Sequence, residues 1–363
     1  MEEIMTVLGP IPPERLGLTS MHEHILYDGT VYRKRLEAFL PNEELPVKEN
    51  EPVNLENIGY LRHNFILTWD AVSMHDEGVM VAELADFKTS GGSAIVDMST
   101  PGLRSNISGI RRISEKTGVH VIATTGLYAE DSWPEKFCNM STEEYTAFMM
   151  GEIKHGIADT GIKPGHIKIA IEEGPTPQGE LLLRAAARVS QETGFSVTIH
   201  QGTFMTDQEV RRIIDVIVEE GIEPERTIIC HVQDFFVPWD LKTLVLDPDS
   251  WRLQLDFPKE LLDRGFNISV DCFGHIWDME PLGYINQTDW QRLAGLAALI
   301  NAGYSEKIVL GTDTYLKILT RRFGGEGYCR LTKSIIPILR QVGVSEDDIQ
   351  KLIVENPARL LAY

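Results

Sequence analysis

The chain has 363 residues, of which 43% are hydrophobic and 24% charged, a composition that predicts a globular protein with a sizeable core. Its 34 basic and 54 acidic residues give a formal net charge of −20, which argues against nucleic acid as a partner. No apolar run approaches the roughly 20 residues of a membrane span and the first residues do not resemble a signal peptide, so we expect no membrane partner, a cytoplasmic location and reduced cysteines.

Apolar, largely β-branched runs of strand length recur along the chain, and each is followed by a segment with helical features. Several runs are apolar throughout, which is typical of strands buried on both faces of a parallel sheet. The predicted strands cover residues 18–24, 93–98, 120–127, 167–171, 196–200, 227–231, 267–272 and 307–313.

The segments between these runs carry helix-start signals, including capping boxes at Ser141 with Glu144 and at Thr206 with Glu209. Strands that alternate with helices in this way favour a closed (β/α)8 TIM barrel over an open doubly wound sheet. The absence of a GxGxxG motif after the first strand also weakens the doubly wound alternative. We therefore predict an α/β protein in which residues 1–363 form a single barrel domain.

Two connections are longer than simple turns and follow the first and eighth predicted strands. Residues 26–75 include Pro41, Asn42 and Trp69, and we interpret this segment as a lid over the active face. Residues 314–328 form the second long loop. Both loops leave the carboxyl ends of strands, where the active sites of such barrels lie.

Four histidines stand at predicted strand ends. His22 and His24 are two residues apart, so their side chains share one face and can reach one ion, although alone they could be ordinary polar residues. His200 and His231 each follow an apolar run, and singly each could be a hydrogen-bonded structural residue. Four imidazoles that converge on one rim are difficult to satisfy without a metal, which favours the metal-ligand interpretation.

Two further residues fit a metal centre. Asp313 closes the eighth predicted strand, where its carboxylate could be a ligand and accept a proton from water, or could cap the next helix. Lys168 lies within an apolar strand, where an ammonium group is costly. Either its head emerges at the barrel rim, or CO₂ carbamylates the amine to give an anion able to bridge two metals.

Several motifs together extend over nearly the whole chain. They are residues 19–24 (Thr-Ser-Met-His-Glu-His), 151–157 followed by 167–170, 198–200, 229–231, 311–313, 324–328 and 355–358. In this order and spacing the sequence resembles the phosphotriesterase-like family of the amidohydrolase superfamily, and within it the phosphotriesterase-related proteins.

This resemblance implies a centre of two divalent ions, usually Zn²⁺, with Mn²⁺, Co²⁺ or Fe²⁺ as alternatives. His22, His24 and Asp313 would hold the inner ion, His200 and His231 the outer one, and carbamylated Lys168 would bridge them. The implied reaction is attack by a metal-bridging hydroxide, with Asp313 accepting its proton. The resemblance also implies a possible homodimer.

The residues expected to contact substrate follow three strands. Tyr128 comes after the third strand, where the family has an aromatic pocket residue. Tyr128 and the candidates after the seventh strand could instead be packing residues. Asp271 is expected to accept a hydrogen bond from a ligand histidine. The candidates after the seventh strand are Cys272, Phe273 and His275, and His275 or His231 would relay the proton. Arg321, beside Arg322 in the eighth loop, could bind an anionic group of the substrate or could be solvated surface charge.

Three functions remain open at this level. Hydrolysis of a lactone, ester or amide carbonyl in a small molecule is preferred, because carbonyl metabolites are common in cells. Hydrolysis of a phosphotriester or organophosphonate ester could use the same centre. A non-catalytic ligand-binding barrel is the third hypothesis, since the fold alone does not imply catalysis.

Overall fold

A computed structural model of the chain describes residues 2–40 and 46–363. Eight parallel strands form one sheet in the order β12-β11-β10-β9-β8-β7-β6-β3, so each strand after β3 lies beside its predecessor. These strands are β3 (Thr19–Glu23), β6 (Ala94–Asp97), β7 (His120–Leu127), β8 (His166–Ile171), β9 (Val197–Gln201), β10 (Thr227–Ile229), β11 (Asn267–Val270) and β12 (Ile308–Leu310). The predicted (β/α)8 barrel is confirmed.

Four short strands lie outside the barrel sheet. They form two antiparallel pairs, β1 (Ile4–Thr6) with β2 (Gly9–Ile11), and β4 (Tyr27–Asp28) with β5 (Ser73–Met74). The second pair joins the beginning and end of the long connection after β3.

Helices follow the barrel strands as the sequence predicts. Their bounds are α1 (Thr30–Arg35), α2 (Ile58–His63), α3 (Glu77–Thr89), α4 (Ile107–Thr117), α5 (Thr142–His155), α6 (Pro177–Thr193), α7 (Asp207–Glu219), α8 (Leu241–Leu246), α9 (Asp256–Asp263), α10 (Asp289–Asn301), α11 (Ile336–Gln341), α12 (Glu346–Gln350) and α13 (Asn356–Leu361), with π-helical turns at Leu331–Ile335 and Lys351–Glu355. None of the described helices is both long enough and apolar enough to cross a membrane.

Helix α7 illustrates why these segments fold as they do. Its capping box is present as predicted, because the Thr206 side chain accepts from the backbone N–H of Glu209 and the Glu209 carboxylate accepts from Thr206. Val210, Ile213 and Ile217 recur at helical spacing and are buried against the sheet. The capping box at Ser141 and Glu144 is also present, at the start of α5.

The barrel interior is apolar at one end and polar at the other. Alternate residues of its strands point inward, and those at the amino-terminal end form one cluster with the ends of the chain. This cluster includes Ile4, Leu16, Ala94, Val96, Ile122, Ile228, Val309 and Leu360. The polar residues therefore collect at the carboxyl ends of the strands.

Three strands end at least two residues earlier than predicted. We expected the sixth, seventh and eighth barrel strands to include His231, Cys272 and Asp313, but they end at Ile229, Val270 and Leu310. The reason is backbone conformation, since these three residues have φ angles of 59°, 59° and 47°. A left-handed residue cannot continue a strand and instead turns the chain across the barrel mouth.

Candidate active site

The carboxyl ends of β3 and β12 bring three of the predicted ligands together. His22 lies in β3 and His24 follows it directly, and their Nε2 atoms lie 3.6 and 3.3 Å from Oδ1 of Asp313. All three side chains are buried. Two imidazoles and a carboxylate at this spacing could hold one metal ion.

A second pair of predicted ligands comes from β9 and the end of β10. His200 Nδ1 and His231 Nε2 face each other at 2.8 Å. The ring centroids of His22 and His231 are 4.9 Å apart, so the two histidine groups adjoin. The structure therefore gathers all four predicted histidines at one end of the barrel.

Lys168 reaches the same place from β8. Its Nζ lies 3.5 Å from His22 Nε2 and 3.4 Å from Cys230 Sγ, and the residue is only 1% exposed. No carboxylate of the described chain lies within 4 Å of this amine. The nearest polar neighbours of this buried amine in the described chain are therefore an imidazole nitrogen and a cysteine sulfur rather than a carboxylate.

The six donors fit a metal centre on two structural observations. Nδ1 of His200 and Nε2 of His231 face each other, and in the described chain neither of these two nitrogens has another hydrogen-bond partner. In addition, His231 and Asp313 keep left-handed backbone conformations, which cost energy and persist where the surrounding structure enforces them. Both observations fit a site in which the candidate ligand side chains converge on one point.

Asp271 supports two of the histidines, as expected from its position after β11. Its Oδ1 accepts from Nδ1 of His231 at 2.7 Å and from Nε2 of Gln233 at 3.0 Å. Oδ2 lies 3.2 Å from Nδ1 of His22, outside hydrogen-bonding geometry. Burial alone would raise the pKa of the Asp271 carboxyl, but its interactions with His231 and His22 together outweigh burial and hold the pKa well below its usual range.

Tyr128 lies beside His200, where its hydroxyl donates to Oε1 of Glu172 at 3.0 Å and lies 3.3 Å from His200 Nε2. Burial raises the pKa of the Glu172 carboxyl, but its contacts with His200 and Arg35 lower the pKa by more. Glu172 therefore stays ionised beside the candidate site.

The residues after β11 fall into two groups. Cys272 Sγ lies 3.6 Å from Asp313 Oδ2, and His275 donates from Nε2 to the Asp313 carbonyl oxygen at 2.9 Å. Burial lowers the pKa of His275 to about 4, so its imidazole is neutral at physiological pH. Phe273, by contrast, is 1% exposed and packs in the core rather than in the cavity wall.

The predicted substrate contact at Arg321 is not reproduced by the structure. Arg321 does not line the cavity, and its guanidinium pairs with Asp86 on α3. Backbone N–H groups of Arg321 and Arg322 donate to the Glu83 carboxylate at 3.0 Å each. Two adjacent basic residues in a loop do not reveal in the sequence that they contact Asp86 and Glu83, which lie more than two hundred residues earlier in the chain.

A cavity of about 690 Å³ opens above the candidate ligands, and Tyr128, His200, His231, Cys272, His275 and Asp313 all reach it. The long connection after β3 supplies Tyr32, Arg35, Leu36, Phe39 and Phe65 to its wall, and Tyr315 comes from the loop after β12. The described parts of the predicted lid therefore cover the site, whereas Pro41 and Asn42 lie outside the described residues.

The sequence model of the Phosphotriesterase family matches residues 2–361 of this chain. The chain belongs to that family. A phosphotriesterase-related protein of Nematostella vectensis is 30% identical over 99% of this chain and 98% of its own length. An N-acetyltaurine hydrolase of Tetraodon nigroviridis is 29% identical over the same shares of the two chains. These relatives support a hydrolase.

Solved structures agree on the fold of this phosphotriesterase-family chain. A resiniferatoxin-binding protein from Rhodobacter sphaeroides superposes with a TM-score of 0.86 and 27% identity, covering 99% of this chain and 94% of its own. The phosphotriesterase homology protein from Escherichia coli has a TM-score of 0.73 at 24% identity, with coverages of 96% and 99%. Because this second identity is low, the second structure supports only the barrel fold.

Sequence reasoning missed several residues that shape this family member's site. Ser99 Oγ lies 2.8 Å from Nδ1 of His24, and Cys230 is the neighbour of Lys168 described above. Glu23, between the two histidines, accepts from Thr312 and Thr314 and joins β3 to the residues after β12. A carboxylate between two ligand histidines was the available signal, because a buried charge needs such partners.

Proposed function

We propose that this chain is a metal-dependent hydrolase with two divalent ions, of which zinc suits the donor set. His22, His24 and Asp313 would hold one ion and His200 with His231 the other, with the carbamate of Lys168 between them. The observation that carries this proposal is the convergence of four imidazoles, one carboxylate and a buried amine at one end of the barrel.

When bound, two such ions would lower the pKa of a water molecule and polarise the bond under attack. Asp313 is suited to accept the proton released by that water, because its Oδ1 faces His22 and His24. His275 holds the Asp313 backbone through the carbonyl oxygen, which makes it a positioning residue. Asp271 holds the His231 ring so that its Nε2 faces His200.

We infer that the substrate is attacked at a carbonyl carbon, in an amide, ester or lactone. The N-acetyltaurine hydrolase relatives are named for cleavage of an amide and align with this chain over 99% of its length. The hydroxyl of Tyr128 lines the cavity beside His200, and it would donate to a substrate oxygen in place of its present acceptor, Glu172. A phosphotriester or organophosphonate ester is the alternative substrate class.

The test is a panel of amides, lactones, esters and phosphotriesters on protein reconstituted with zinc or manganese, together with metal content measured with and without bicarbonate. We expect about two ions per chain, higher content with bicarbonate, and turnover of a carbonyl substrate. His22→Asn should abolish turnover and reduce metal content, whereas His155→Asn, an exposed histidine at the end of α5, should not.

Each outcome of this panel discriminates between the candidate functions. Turnover of phosphotriesters alone would replace the carbonyl substrate by the phosphoryl one. Fewer than about one ion per chain with no turnover of any ester, lactone or amide would favour a ligand-binding barrel.

A further inference from the structure

Carboxylates contact both histidines proposed to hold the outer ion, at the ring nitrogen that faces away from the other histidine. Asp271 does so at Nδ1 of His231, as described above. At Nε2 of His200, Glu172 Oε1 lies at 3.4 Å and the Tyr128 hydroxyl at 3.3 Å. The opposite nitrogen of His200, Nδ1, faces His231 at 2.8 Å. Glu172 therefore has the same relation to His200 as Asp271 has to His231.

The Glu172 carboxylate is held by an arginine from outside the barrel. Glu172 directly follows β8, whereas Arg35 is the last residue of α1, in the long connection after β3. NH1 of Arg35 lies 2.9 Å from Glu172 Oε1, and its Nε and NH2 donate to the two carboxylate oxygens of Asp131 at 2.7 and 2.6 Å. A guanidinium that binds one carboxylate through two hydrogen bonds has a fixed orientation, so Asp131 directs NH1 of Arg35 towards Glu172.

A second residue of α1 reaches the same place. The Tyr32 hydroxyl lies 2.5 Å from the Tyr128 hydroxyl. Because Tyr128 donates to Glu172 at 3.0 Å, its oxygen can accept from Tyr32 and from Nε2–H of His200. Tyr32 and Arg35 are three residues apart and lie on one face of the helix. This face of α1 therefore contacts both groups that lie beside His200.

These contacts determine which nitrogen of His200 is available to a metal. An imidazole nitrogen binds a metal only when it carries no proton, and an acceptor at the other nitrogen keeps the proton there. Glu172 and Tyr128 provide that acceptor at Nε2, which leaves Nδ1 as the lone-pair donor beside His231. Without Arg35, the Glu172 side chain would lose the cation that holds it against His200.

We propose that Arg35 is a positioning residue for the outer ion, which it affects through Glu172 and His200. Docking of α1 on the barrel and binding of the outer ion then favour each other, because a coupling between two binding events is reciprocal. The inference rests on the two-ion centre proposed above and not on the reaction that this centre catalyses.

A purely structural role for the same contacts makes a different prediction. If Arg35 only attached α1 to the barrel, its loss would lower the free energy of unfolding and change the affinities for both ions equally or not at all. If it positions His200, its loss weakens the outer ion selectively. The two zinc-binding steps therefore have to be measured separately.

Stepwise zinc titration of the full-length metal-free protein in bicarbonate, in competition with a chromophoric chelator, measures both steps. His200→Asn identifies the outer step, because it removes a proposed ligand of that ion alone. We expect Arg35→Met and Glu172→Gln each to weaken the outer step by about tenfold and to leave the inner step nearly unchanged. Lys34→Met is the matched control, since Lys34 is exposed and adjoins Arg35 on α1.

The double variant tests whether Arg35 acts through Glu172. If it does, Arg35→Met combined with Glu172→Gln should bind the outer ion within about twofold as tightly as Glu172→Gln alone. Effects that multiply in full would overturn this route.

Hydrogen–deuterium exchange of the wild type tests the coupling without any substitution. The backbone amides of α1 should exchange at least about threefold more slowly once the outer step is filled, because the ion then favours the docked helix. Unchanged exchange of α1 would overturn the inference even if the variants fold poorly.

These outcomes separate the inference from the proposed function. Two bound ions and a selectively weakened outer step in Arg35→Met, with no turnover of any amide, ester or lactone, would support the role of Arg35 and count against a carbonyl hydrolase. Two bound ions with an unaltered outer step in Arg35→Met would overturn the role of Arg35 alone. A wild type that binds no outer ion would overturn both.

Discussion

Asp271 Oδ1 accepts a hydrogen bond from Nδ1 of His231 at 2.7 Å, which leaves Nε2 of the same ring facing His200. A carboxylate that binds one imidazole nitrogen places the proton there and keeps the other nitrogen as a lone-pair donor. The orientation of the His231 ring is therefore fixed by Asp271, which does not itself line the cavity.

Asp271→Asn should weaken metal binding by about 10- to 100-fold, because an amide can present N–H to His231 and release the ring from its orientation. The measurement is competition against a chromophoric chelator for zinc. Asp249→Asn is the matched control, since Asp249 is exposed in the turn after α8. Equal zinc affinity in Asp271→Asn and the wild type would contradict an orienting role for this carboxylate.

The second prediction concerns the amine of Lys168. Lys168→Ala should lose metal and activity, and short carboxylates such as acetate should restore part of both, because they can occupy the place of a carbamate. Lys154→Ala, an exposed position on α5, should behave as the wild type.

A direct readout for the same prediction is the ¹³C NMR signal of a carbamate after incubation with labelled bicarbonate. The signal should be present in the wild type and in Lys154→Ala and absent in Lys168→Ala. Full metal content and activity in Lys168→Ala without added carboxylate would show that the bridge is not needed.

The sequence predicts the barrel, and it predicts that the candidate ligands lie near one another, because both features rest on local patterns. Buried strands are apolar throughout, and each ends in a polar residue at the same face of a parallel barrel. Strand order alone therefore predicts that the four candidate histidines lie together. The structure places His22, His24, His200 and His231 within contact distance of one another.

What the sequence does not reveal depends on contacts between distant segments. Phe273 and Arg321 have residue types suited to substrate binding, but one packs in the core and the other pairs with Asp86. The left-handed conformation of Cys272 likewise has no local signal, because non-glycine residues adopt it only where surrounding packing enforces it. Charge pairing of Arg35 with Asp131 links positions 96 residues apart.

Glu23 is predicted to contribute to stability rather than to catalysis. Its carboxylate accepts from the N–H and hydroxyl of Thr312 at 2.8 and 2.7 Å and from the N–H of Thr314 at 3.0 Å, which joins the first and last barrel strands. Glu23→Gln replaces one acceptor oxygen by a donor that faces these groups. We expect a loss of about 1–3 kcal/mol in the free energy of unfolding.

Urea denaturation of the metal-free protein measures this effect without a contribution from metal binding. Glu37→Gln, at an exposed position in the connection after β3, serves as the control. A midpoint for Glu23→Gln within error of the wild type would mean that water or a rearranged loop replaces the lost acceptor.

The last prediction is a pH dependence of stability at Glu152, which lies on α5 away from the candidate ligands. Its carboxyl is buried and accepts from the Thr125 hydroxyl at 2.6 Å, and burial raises its pKa above the ordinary 4.5. The folded state therefore holds this proton more tightly than the unfolded state. The resulting stability is fully present below about pH 4.5 and is lost as the pH rises through the folded pKa.

The glutamine side chain of Glu152→Gln is neutral at every pH, so this variant does not lose that stability as the pH rises. We expect the difference in melting temperature between Glu152→Gln and the wild type to shift in favour of the variant as the pH is raised from about 4.5 to neutrality. Glu135→Gln, an exposed glutamate in the preceding connection, should show no such trend. A pH-independent difference would indicate that Arg104, whose charge opposes the effect of burial, keeps Glu152 ionised throughout the range.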